Sequence, residues 1–137
     1  MTLRRGLTVG AAAVAALAFA ASPASAADVY AQAVGSQGWG DFSYNSRTSV
    51  YSIILTVQDT KADGHHVRVR AQSQDPLGSI SSYSWRYNYE GYGAKISWST
   101  SLTDSSGISA MRVQVCTYEG DTPLSCDTSA WNANPYY

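Results

Sequence analysis

The chain has little charge and few residues of the kinds that hold metals. Only 14% of its 137 residues are charged, with nine Lys and Arg against ten Asp and Glu. Binding to nucleic acid or to an anionic surface requires concentrated positive charge, so neither is expected as a partner. The two histidines, His65 and His66, are neighbours in a predicted strand, where adjacent side chains point to opposite faces. We therefore expect solvated histidines beside a turn, with no metal and no cofactor.

Recognisable catalytic motifs are also absent. The chain has no Gly-x-Ser-x-Gly nucleophile motif, and its only glutamates, Glu90 and Glu119, lie in different predicted turns or strand ends. Residues 59–64 resemble the opening of a calcium-binding loop, but Lys61 occupies the third position and Arg70 the twelfth, where such loops use oxygen ligands. The sequence therefore predicts a non-enzymatic protein with no catalytic residues and no calcium site of this type.

The N-terminal segment has the order of a secretory signal peptide. Arg4 and Arg5 form a positive segment, an apolar run follows at residues 7–21, and small residues precede Ala27. We expect cleavage before Ala27. The competing interpretation is a retained membrane anchor, which is disfavoured because a bilayer span needs about twenty apolar residues. Leu3 stands before the arginine pair, which favours the general secretion route over the twin-arginine route.

Removal of residues 1–26 leaves residues 27–137, which have the size of one ordinary domain. The formal charge becomes −3, from seven Lys and Arg against ten Asp and Glu. No second long apolar run follows in this part of the chain. The expected product is a monomeric extracellular β-domain that is free of the membrane after cleavage.

The only two cysteines, Cys116 and Cys126, both lie in the expected mature part. In an exported protein an even count favours a disulfide, and residues 117–123 contain the turn that would bring the two together. Such a bridge is expected to stabilise the fold by about 2–3 kcal/mol. The alternatives are a redox pair, which this spacing does not fit, and a zinc site, which would need the two histidines as further ligands.

Apolar and polar side chains alternate along the mature chain, which predicts half-buried strands rather than helices. Further runs rich in Tyr, Trp, Ser and Thr are separated by Gly or Pro. About six to eight short strands in one domain predict an antiparallel β-sandwich, with a small β-barrel as the alternative. The predicted strand positions are residues 38–44, 48–58, 65–73, 82–90, 93–100 and 111–115.

Alternation and turn residues also predict which strands pair and on which face of a strand each side chain lies. The Asp63-Gly64 step supplies the positive φ of a tight reversal, so residues 48–58 and 65–73 are expected to form an antiparallel hairpin. Strict alternation puts Cys116 on a polar face, so either the bridge joins two strands on the outer face or a bulge turns Cys116 inward. One face of the first hairpin strand is expected to carry Tyr51, Ile53, Leu55 and Val57.

The most distinctive segment is residues 83–92, Tyr-Ser-Trp-Arg-Tyr-Asn-Tyr-Glu-Gly-Tyr. In an extended strand Tyr83, Trp85, Tyr87 and Tyr89 share one face. An exposed row of this kind stacks on sugar rings or contacts a protein, because each ring offers a large area at a small cost in side-chain entropy. The alternative is that the row forms the inner face of a sandwich strand. Each buried tyrosine hydroxyl would then need a hydrogen-bond partner, which favours a solvent-accessible end.

From this segment we expect a secreted binding protein whose target is an extracellular protein or a glycan. Two glycines in the segment and just after it lack side chains and would let a ligand approach the backbone. A polysaccharide-binding module is one alternative function. The expected contact residues are Trp85, Arg86, Tyr87, Tyr89 and Tyr92.

Within this segment, Ser84-Trp85-Arg86-Tyr87 resembles the Ser-Trp-Arg-Tyr element of tendamistat-type α-amylase inhibitors, which are small secreted β-proteins of actinobacteria. The resemblance implies that Trp85, Arg86 and Tyr87 enter an amylase cleft. The chain departs from that family because it has one cysteine pair instead of two and carries the motif in mid-chain. A secreted α-amylase inhibitor is therefore the runner-up function.

A broader pattern comprises residues 59–70, residues 112–116, Cys126 and Trp131. It is similar to that of small secreted proteins abundant in Streptomyces and related actinobacteria. The resemblance extends over about half of the mature chain and implies export and a β-fold. It implies no catalytic or binding residue.

Overall fold

The computed structural model describes residues 27–137, and the predicted signal peptide, residues 1–26, lies outside this range. Strands and connecting turns make up the described part of the chain, and no helix there is long and apolar enough to cross a membrane. The strands are β1 (Val29–Ala33), β2 (Ser36–Ser46), β3 (Ser49–Asp59), β4 (His66–Gln74), β5 (Ile80–Ser82), β6 (Arg86–Asn88), β7 (Lys95–Thr103), β8 (Ala110–Glu119), β9 (Thr122–Thr128) and β10 (Asn132–Ala133).

The strands form two antiparallel sheets. Sheet A has the order β1-β2-β3-β7. Sheet B has the order β10-β8-β4-β5, with β6 also paired to β4 and β9 also paired to β8. Each sheet buries one face against the other, which is the arrangement of a β-sandwich. The predicted fold class, an antiparallel β-sandwich, is therefore confirmed, although residues 27–137 form ten strands instead of the predicted six to eight.

The core lies between the inner faces of the two sheets. Val67 and Val69 of β4 and Val113 and Val115 of β8 are fully buried, as the alternation predicts. Burial of such apolar faces is the main favourable contribution to folding. Sheet A contributes the residues that face them, which include Val29, Ala31, Phe42, Val50, Ile53, Leu55 and Val57.

Strands β3 and β4 occur where predicted, but the prediction that they pair as a hairpin is wrong. β3 pairs with β2 and β7, whereas β4 pairs with β5, β6 and β8 in the other sheet. Residues 60–65 cross from one sheet to the other, with a local turn in which Asp59 Oδ1 accepts the Lys61 N–H at 3.1 Å. Gly64 has the expected positive φ of 75°, but a turn residue does not require its flanking strands to pair. Stacking the two apolar faces across the core buries both of them.

The prediction that Tyr51 shares a face with Ile53, Leu55 and Val57 is also wrong. Val50 is buried and Tyr51 is exposed. The register between β3 and β7 shifts between Val50 and Ile53, which marks an irregularity of the β-bulge type. Beyond this shift Ile53, Leu55 and Val57 face the core as predicted, whereas Tyr51 points to solvent.

Cys116 and Cys126 form the predicted disulfide. The two residues are direct partners in the register of β8 and β9. The register between β8 and β4 has no shift along its length, so Cys116 stays on the face of Gln114, opposite Arg68 of β4. The bridge therefore joins two strands on the outer face of sheet B, which is the first of the two predicted alternatives.

The two lateral sides of the sandwich are closed to different degrees. On one side β1 is bonded to β9, because the Gln32 N–H donates to Asp127 Oδ2 at 3.1 Å and the Val34 N–H donates to Ser125 Oγ at 3.0 Å. On the other side β7 faces the short strands β5 and β6, and in the described chain no hydrogen bond joins β7 to them. We name these the closed side and the open side.

Glycines of β2 allow the two sheets to approach each other. A Cβ added at Gly40 would lie 2.7 Å from Val113 Cγ1, and one added at Gly38 would lie 3.0 Å from Val115 Cβ. Favourable contacts between carbon atoms are about 3.5–4.0 Å long. Glycine is needed at these positions because of space, since neither residue has a positive φ.

We predict that Gly40→Ala lowers the free energy of unfolding by about 1–3 kcal/mol, because the buried Val113 must move. Gly38→Ala is expected to act in the same direction with a smaller effect, since its closest contact is longer. Denaturant unfolding of both variants checks this, with Ser99→Ala on the exposed face of β7 as a control expected within about 0.5 kcal/mol of wild type. A Gly40→Ala protein as stable as wild type would contradict the close approach.

Candidate functional site

The outer face of sheet B carries arginine and aromatic side chains in rows that cross the strands. Tyr87, Arg68 and Cys116 are successive partners across β6, β4 and β8, and Arg70 pairs with Gln114 in the next row. Directly paired residues share a face, so these side chains all point away from the core. We name this set the arginine–aromatic ladder. It comprises His66, Arg68, Arg70, Trp85, Tyr87, Tyr89, Arg112, Tyr118 and Trp131.

Arg68 is the centre of the ladder. Its guanidinium carbon lies 3.7 Å from the ring centroid of Tyr118 and 4.5 Å from that of Tyr87. The side chain is buried, and it donates hydrogen bonds to His66 Nε2 at 2.8 Å and to the Gly120 carbonyl at 2.9 Å. Cation–π contacts contribute more when the cation is desolvated, as it is here. Arg68 therefore fixes both tyrosine rings relative to the sheet.

His66 is stacked between tyrosines and is not simply solvated as expected. Its ring centroid lies 4.4 Å from that of Tyr89 and 5.8 Å from that of Tyr118, with interplanar angles below 30°. Burial, together with the positive charge of Arg68, lowers the pKa of His66. At neutral pH the imidazole is therefore uncharged, and its Nε2 accepts the hydrogen bond from Arg68.

In the next rows, two further arginines each contact an aromatic ring and donate a hydrogen bond to a glutamine. The Arg70 guanidinium carbon lies 4.2 Å from the ring centroid of Trp85, and its Nε donates to Gln114 Oε1 at 2.8 Å. Arg112 lies 4.3 Å from the ring centroid of Trp131 and donates to a glutamine of β4 at 2.8 Å. Each guanidinium thus has a ring on one face and an amide oxygen at its edge, which restricts the rotamers of both side chains.

The ladder ends in exposed tyrosines. Tyr87 and Tyr89 are 43% and 68% exposed. Their ring centroids are 5.9 Å apart and their planes differ by only 2°. Tyr92, in the loop that follows, is 67% exposed. We name Tyr87, Tyr89 and Tyr92 the tyrosine surface.

The loop between β6 and β7 is held by a buried amide. Asn88 is fully buried, its Nδ2 donates to the Ala94 carbonyl at 2.9 Å, and its Oδ1 accepts the Glu90 N–H at 2.9 Å. The Gly93 N–H donates to the Asp59 carbonyl at 2.8 Å, which ties the loop to the end of β3. These bonds fix the backbone that carries the two tyrosines of this loop.

A cleft of about 610 Å³ lies beside the tyrosine surface. Tyr89 and Tyr92 form part of its wall, so rings and charged groups meet there. Its polar side chains offer both hydrogen-bond donors and acceptors. They belong to Asp59, Lys61, His65, His66 and Asp121.

The structure brings together most of the predicted contact residues. Trp85, Tyr87 and Tyr89 lie on the outer face of sheet B, and Tyr92 lines the cleft beside Tyr89. Arg86 is separated from them, because it pairs with a fully buried valine of β4 and therefore lies on the inner face. Of the predicted contact residues, the aromatic ones therefore lie on the outer side of sheet B, and Arg86 alone lies on its inner face.

The aromatic row is not one continuous face, because the predicted strand at 82–90 is interrupted. Residues 83–85 lie between β5 and β6 and are not part of a strand. Tyr83 packs against the core, and its hydroxyl forms a hydrogen bond of 2.7 Å with Ser73 Oγ. Trp85 lies on the opposite face, over Arg70. Both alternatives from the sequence are realised, each for a different part of the row.

Sequence reasoning did not include His66, Arg68 and Tyr118 in the site. The available signal was the alternation of Arg68 with buried valines, which places its charge on the outer face of a central strand. A buried guanidinium on such a face needs partners, and aromatic rings on neighbouring strands provide them. Those rings can be identified only when the pairing of β4 with β6 and β8 is known. The alternation of residues within one strand does not reveal which strands pair.

Comparison of the chain with protein-family models, curated proteins and solved structures finds no match. The resemblances to tendamistat-type inhibitors and to actinobacterial secreted proteins therefore stay predictions. Within residues 27–137 no group of three His, Cys, Asp or Glu side chains is placed to hold a metal ion. The geometry of the outer face is thus the basis for a functional proposal.

We predict that Arg68→Ala lowers the free energy of unfolding by about 2–4 kcal/mol, because it removes two cation–π contacts and two hydrogen bonds from a buried position. Asp121→Asn is the matched control. Asp121 also lies 3.3 Å from Arg68, but its carboxylate is fully exposed, so we expect the unfolding midpoint to stay unchanged. Chemical denaturation measures both. Equal losses in the two variants would mean that the ion pair, and not the ring stack, holds Arg68.

Proposed function

We infer that this is an exported binding protein that contacts its target through the tyrosine surface, Tyr87, Tyr89 and Tyr92. The observation that carries the proposal is the pair of exposed, parallel rings of Tyr87 and Tyr89, whose planes differ by 2°. Exposed aromatic rings that are already ordered lose little entropy on binding, so most of their contact energy is available for affinity. Arg68 and His66 supply that order from beneath.

Export is part of the proposal. A disulfide between Cys116 and Cys126 is typical of proteins that fold in an oxidising compartment. The segment 1–26 has the charge and hydrophobicity order of a signal peptide. A tyrosine surface on an exported domain would meet proteins and glycans of the extracellular space.

A glycan is the second, more specific candidate for the target, and the cleft of about 610 Å³ beside Tyr89 and Tyr92 favours it. Sugars present apolar ring faces for stacking and hydroxyl groups for hydrogen bonding. The cleft offers aromatic rings together with Lys61 as a donor and the exposed Asp121 as an acceptor. A polysaccharide-binding function is therefore supported by both kinds of group.

The runner-up, an α-amylase inhibitor, has less geometric support. The resemblance implies that Trp85, Arg86 and Tyr87 act together on one surface. Here Arg86 lies on the inner face, so it does not share a surface with Trp85 and Tyr87, which both lie on the outer face over arginines of β4. The inhibitor function stays a prediction, which an amylase assay with micromolar mature protein would decide.

We predict that Tyr89→Ala weakens target binding by about tenfold or more, since aromatic residues at the centre of an interface typically contribute at least this much. The mature protein is incubated with insoluble chitin, cellulose and starch and, separately, with culture-medium proteins. Retention is compared between wild type, Tyr89→Ala and Tyr51→Ala. Tyr51 is a matched control because it is a tyrosine of similar exposure, 61%, on sheet A.

Loss of retention in Tyr89→Ala with full retention in Tyr51→Ala supports the tyrosine surface, and the ligand that retains the wild type identifies the target class. Equal retention of all three proteins would place the site elsewhere. Absence of retention on every glycan and every medium protein would overturn the proposed binding function.

A separate measurement tests export. When the full chain is expressed in a secreting host, N-terminal sequencing of the protein in the medium is expected to begin at Ala27-Asp28-Val29. Ala26→Asp, which changes a small residue next to the cleavage site, is expected to leave the precursor uncleaved. Retention of uncleaved wild-type protein in the membrane fraction would instead support the anchor alternative.

A further inference from the structure

The open side of the sandwich contains a second cleft. It has a volume of about 380 Å³ and lies between β7 of sheet A and the segment from β5 to β6 of sheet B. Ligand-binding pockets are typically about 300–1,000 Å³, so this cleft has the size for a small organic molecule. Its apolar wall is formed by Ile53, Leu55, Ala71, Tyr83 and Leu102.

Arg86 is the one charged residue among those that line this cleft in the described structure. It is the register partner of Val69, which is fully buried, so the Arg86 side chain projects between the two sheets. Its Nε is buried and has no hydrogen-bond partner. Within residues 27–137 the one ion pair joins Arg68 to Asp121, and Arg86 has no carboxylate of its own.

Arg86 is half-buried, and in the described part of the chain its Nε is the one guanidinium nitrogen that is buried without a partner. A buried donor without a partner lowers stability, and a guanidinium normally pairs with a carboxylate or phosphate when it is withdrawn from water. The other arginines of sheet B illustrate the normal pattern, since Arg68, Arg70 and Arg112 each have a ring and a hydrogen-bond acceptor. An anion bound in the cleft would supply what Arg86 lacks.

We propose that the cleft binds a small organic monocarboxylate with an apolar body. The carboxylate accepts hydrogen bonds from the Arg86 guanidinium, whose planar fork matches its geometry. The apolar body packs mainly against Tyr83 and Leu102, which are half-buried, because Ile53 and Leu55 behind them are only 2% exposed. One cation in the cleft and an overall charge of −3 for residues 27–137 favour a singly charged group over a doubly charged phosphate.

The cleft and the tyrosine surface lie on opposite faces of β6, because Arg86 points inward and Tyr87 points outward. A ligand in the cleft therefore does not need the tyrosines. Either proposal can fail without the other. Variants at Arg86 test the cleft, and variants at Tyr89 test the outer surface.

The test is isothermal titration calorimetry of the mature protein with decanoate and with 4-phenylbutyrate, which share a carboxylate and differ in the apolar body. 1-Decanol serves as the uncharged comparison for decanoate. We expect saturable binding of at least one carboxylate and much weaker binding of decanol. Arg86→Met is expected to weaken carboxylate binding by about tenfold or more, because it removes a charge-assisted bond. Arg112→Met, on the outer face of the same sheet, is expected to bind as wild type.

Thermal unfolding distinguishes a binding role from a structural one. Without ligand, Arg86→Met is expected to unfold at the same or a higher temperature than wild type, because an unpaired donor has been removed. The carboxylate is expected to raise the unfolding temperature of wild type and not that of Arg86→Met. A lower unfolding temperature of Arg86→Met combined with undiminished binding would overturn the proposal.

A second variant leaves Arg86 in place. Leu102→Trp narrows the cleft from the β7 side, so it is expected to reduce carboxylate binding, whereas Tyr89→Ala is expected to leave it unchanged. Equal affinity for decanoate and decanol would mean that Arg86 does not recognise the charge, which overturns the proposal. Absence of binding of either carboxylate at millimolar concentration would also overturn it.

Discussion

The burial of one face of β4 and β8 against sheet A is the constraint from which the other features follow. Side chains alternate along a strand, so once Val67, Val69, Val113 and Val115 enter the core, every second residue of these strands must face solvent. The arginines of both strands lie at those positions. Their charges therefore gather on one outer face, where rings on neighbouring strands and on the connecting segments stack on them. The same rule places Arg86 inside, because it is opposite Val69.

Stacked arginines give the outer face an order that exposed side chains rarely have. Arg68 contacts rings of β6 and β8 at once, and His66 extends the stack to Tyr89. Ordering these groups costs side-chain entropy during folding, and the contacts within the stack offset it. The target proposed for the tyrosine surface would therefore meet rings that are already ordered. The affinity of such a surface would depend in part on Arg68 and His66, because they order the tyrosine rings from beneath.

The sequence predicts the features that depend on alternation within one strand. It does not predict the features that depend on which distant strands pair. The faces of Val67 and Val113 follow from alternation, and the Cys116–Cys126 bridge follows from an even cysteine count, expected export and a turn between the two residues. The partner of β3 does not, because the turn at Gly64 is compatible both with a hairpin and with a crossing between sheets. Tyr51 was assigned to the core because a bulge leaves no mark in the alternation. Alternation places Arg86 on the face opposite Trp85 and Tyr87, and its register against buried Val69 of β4 shows that this face is the inner one.

The two lateral sides of the sandwich are fastened unequally. β1 and β9 are fastened together, and the disulfide holds β9 to β8 on the same side. β7 itself has no hydrogen bond to β5 or β6 in the described chain, and the nearest fastening is the bond from Asn88 of β6 to the Ala94 carbonyl, just before β7 begins. Separation of the two sheets would therefore be resisted more strongly at the fastened edge than at the edge next to β7. The carboxylate proposed for the second cleft would enter from the β7 edge, without disturbing the ladder on the outer face.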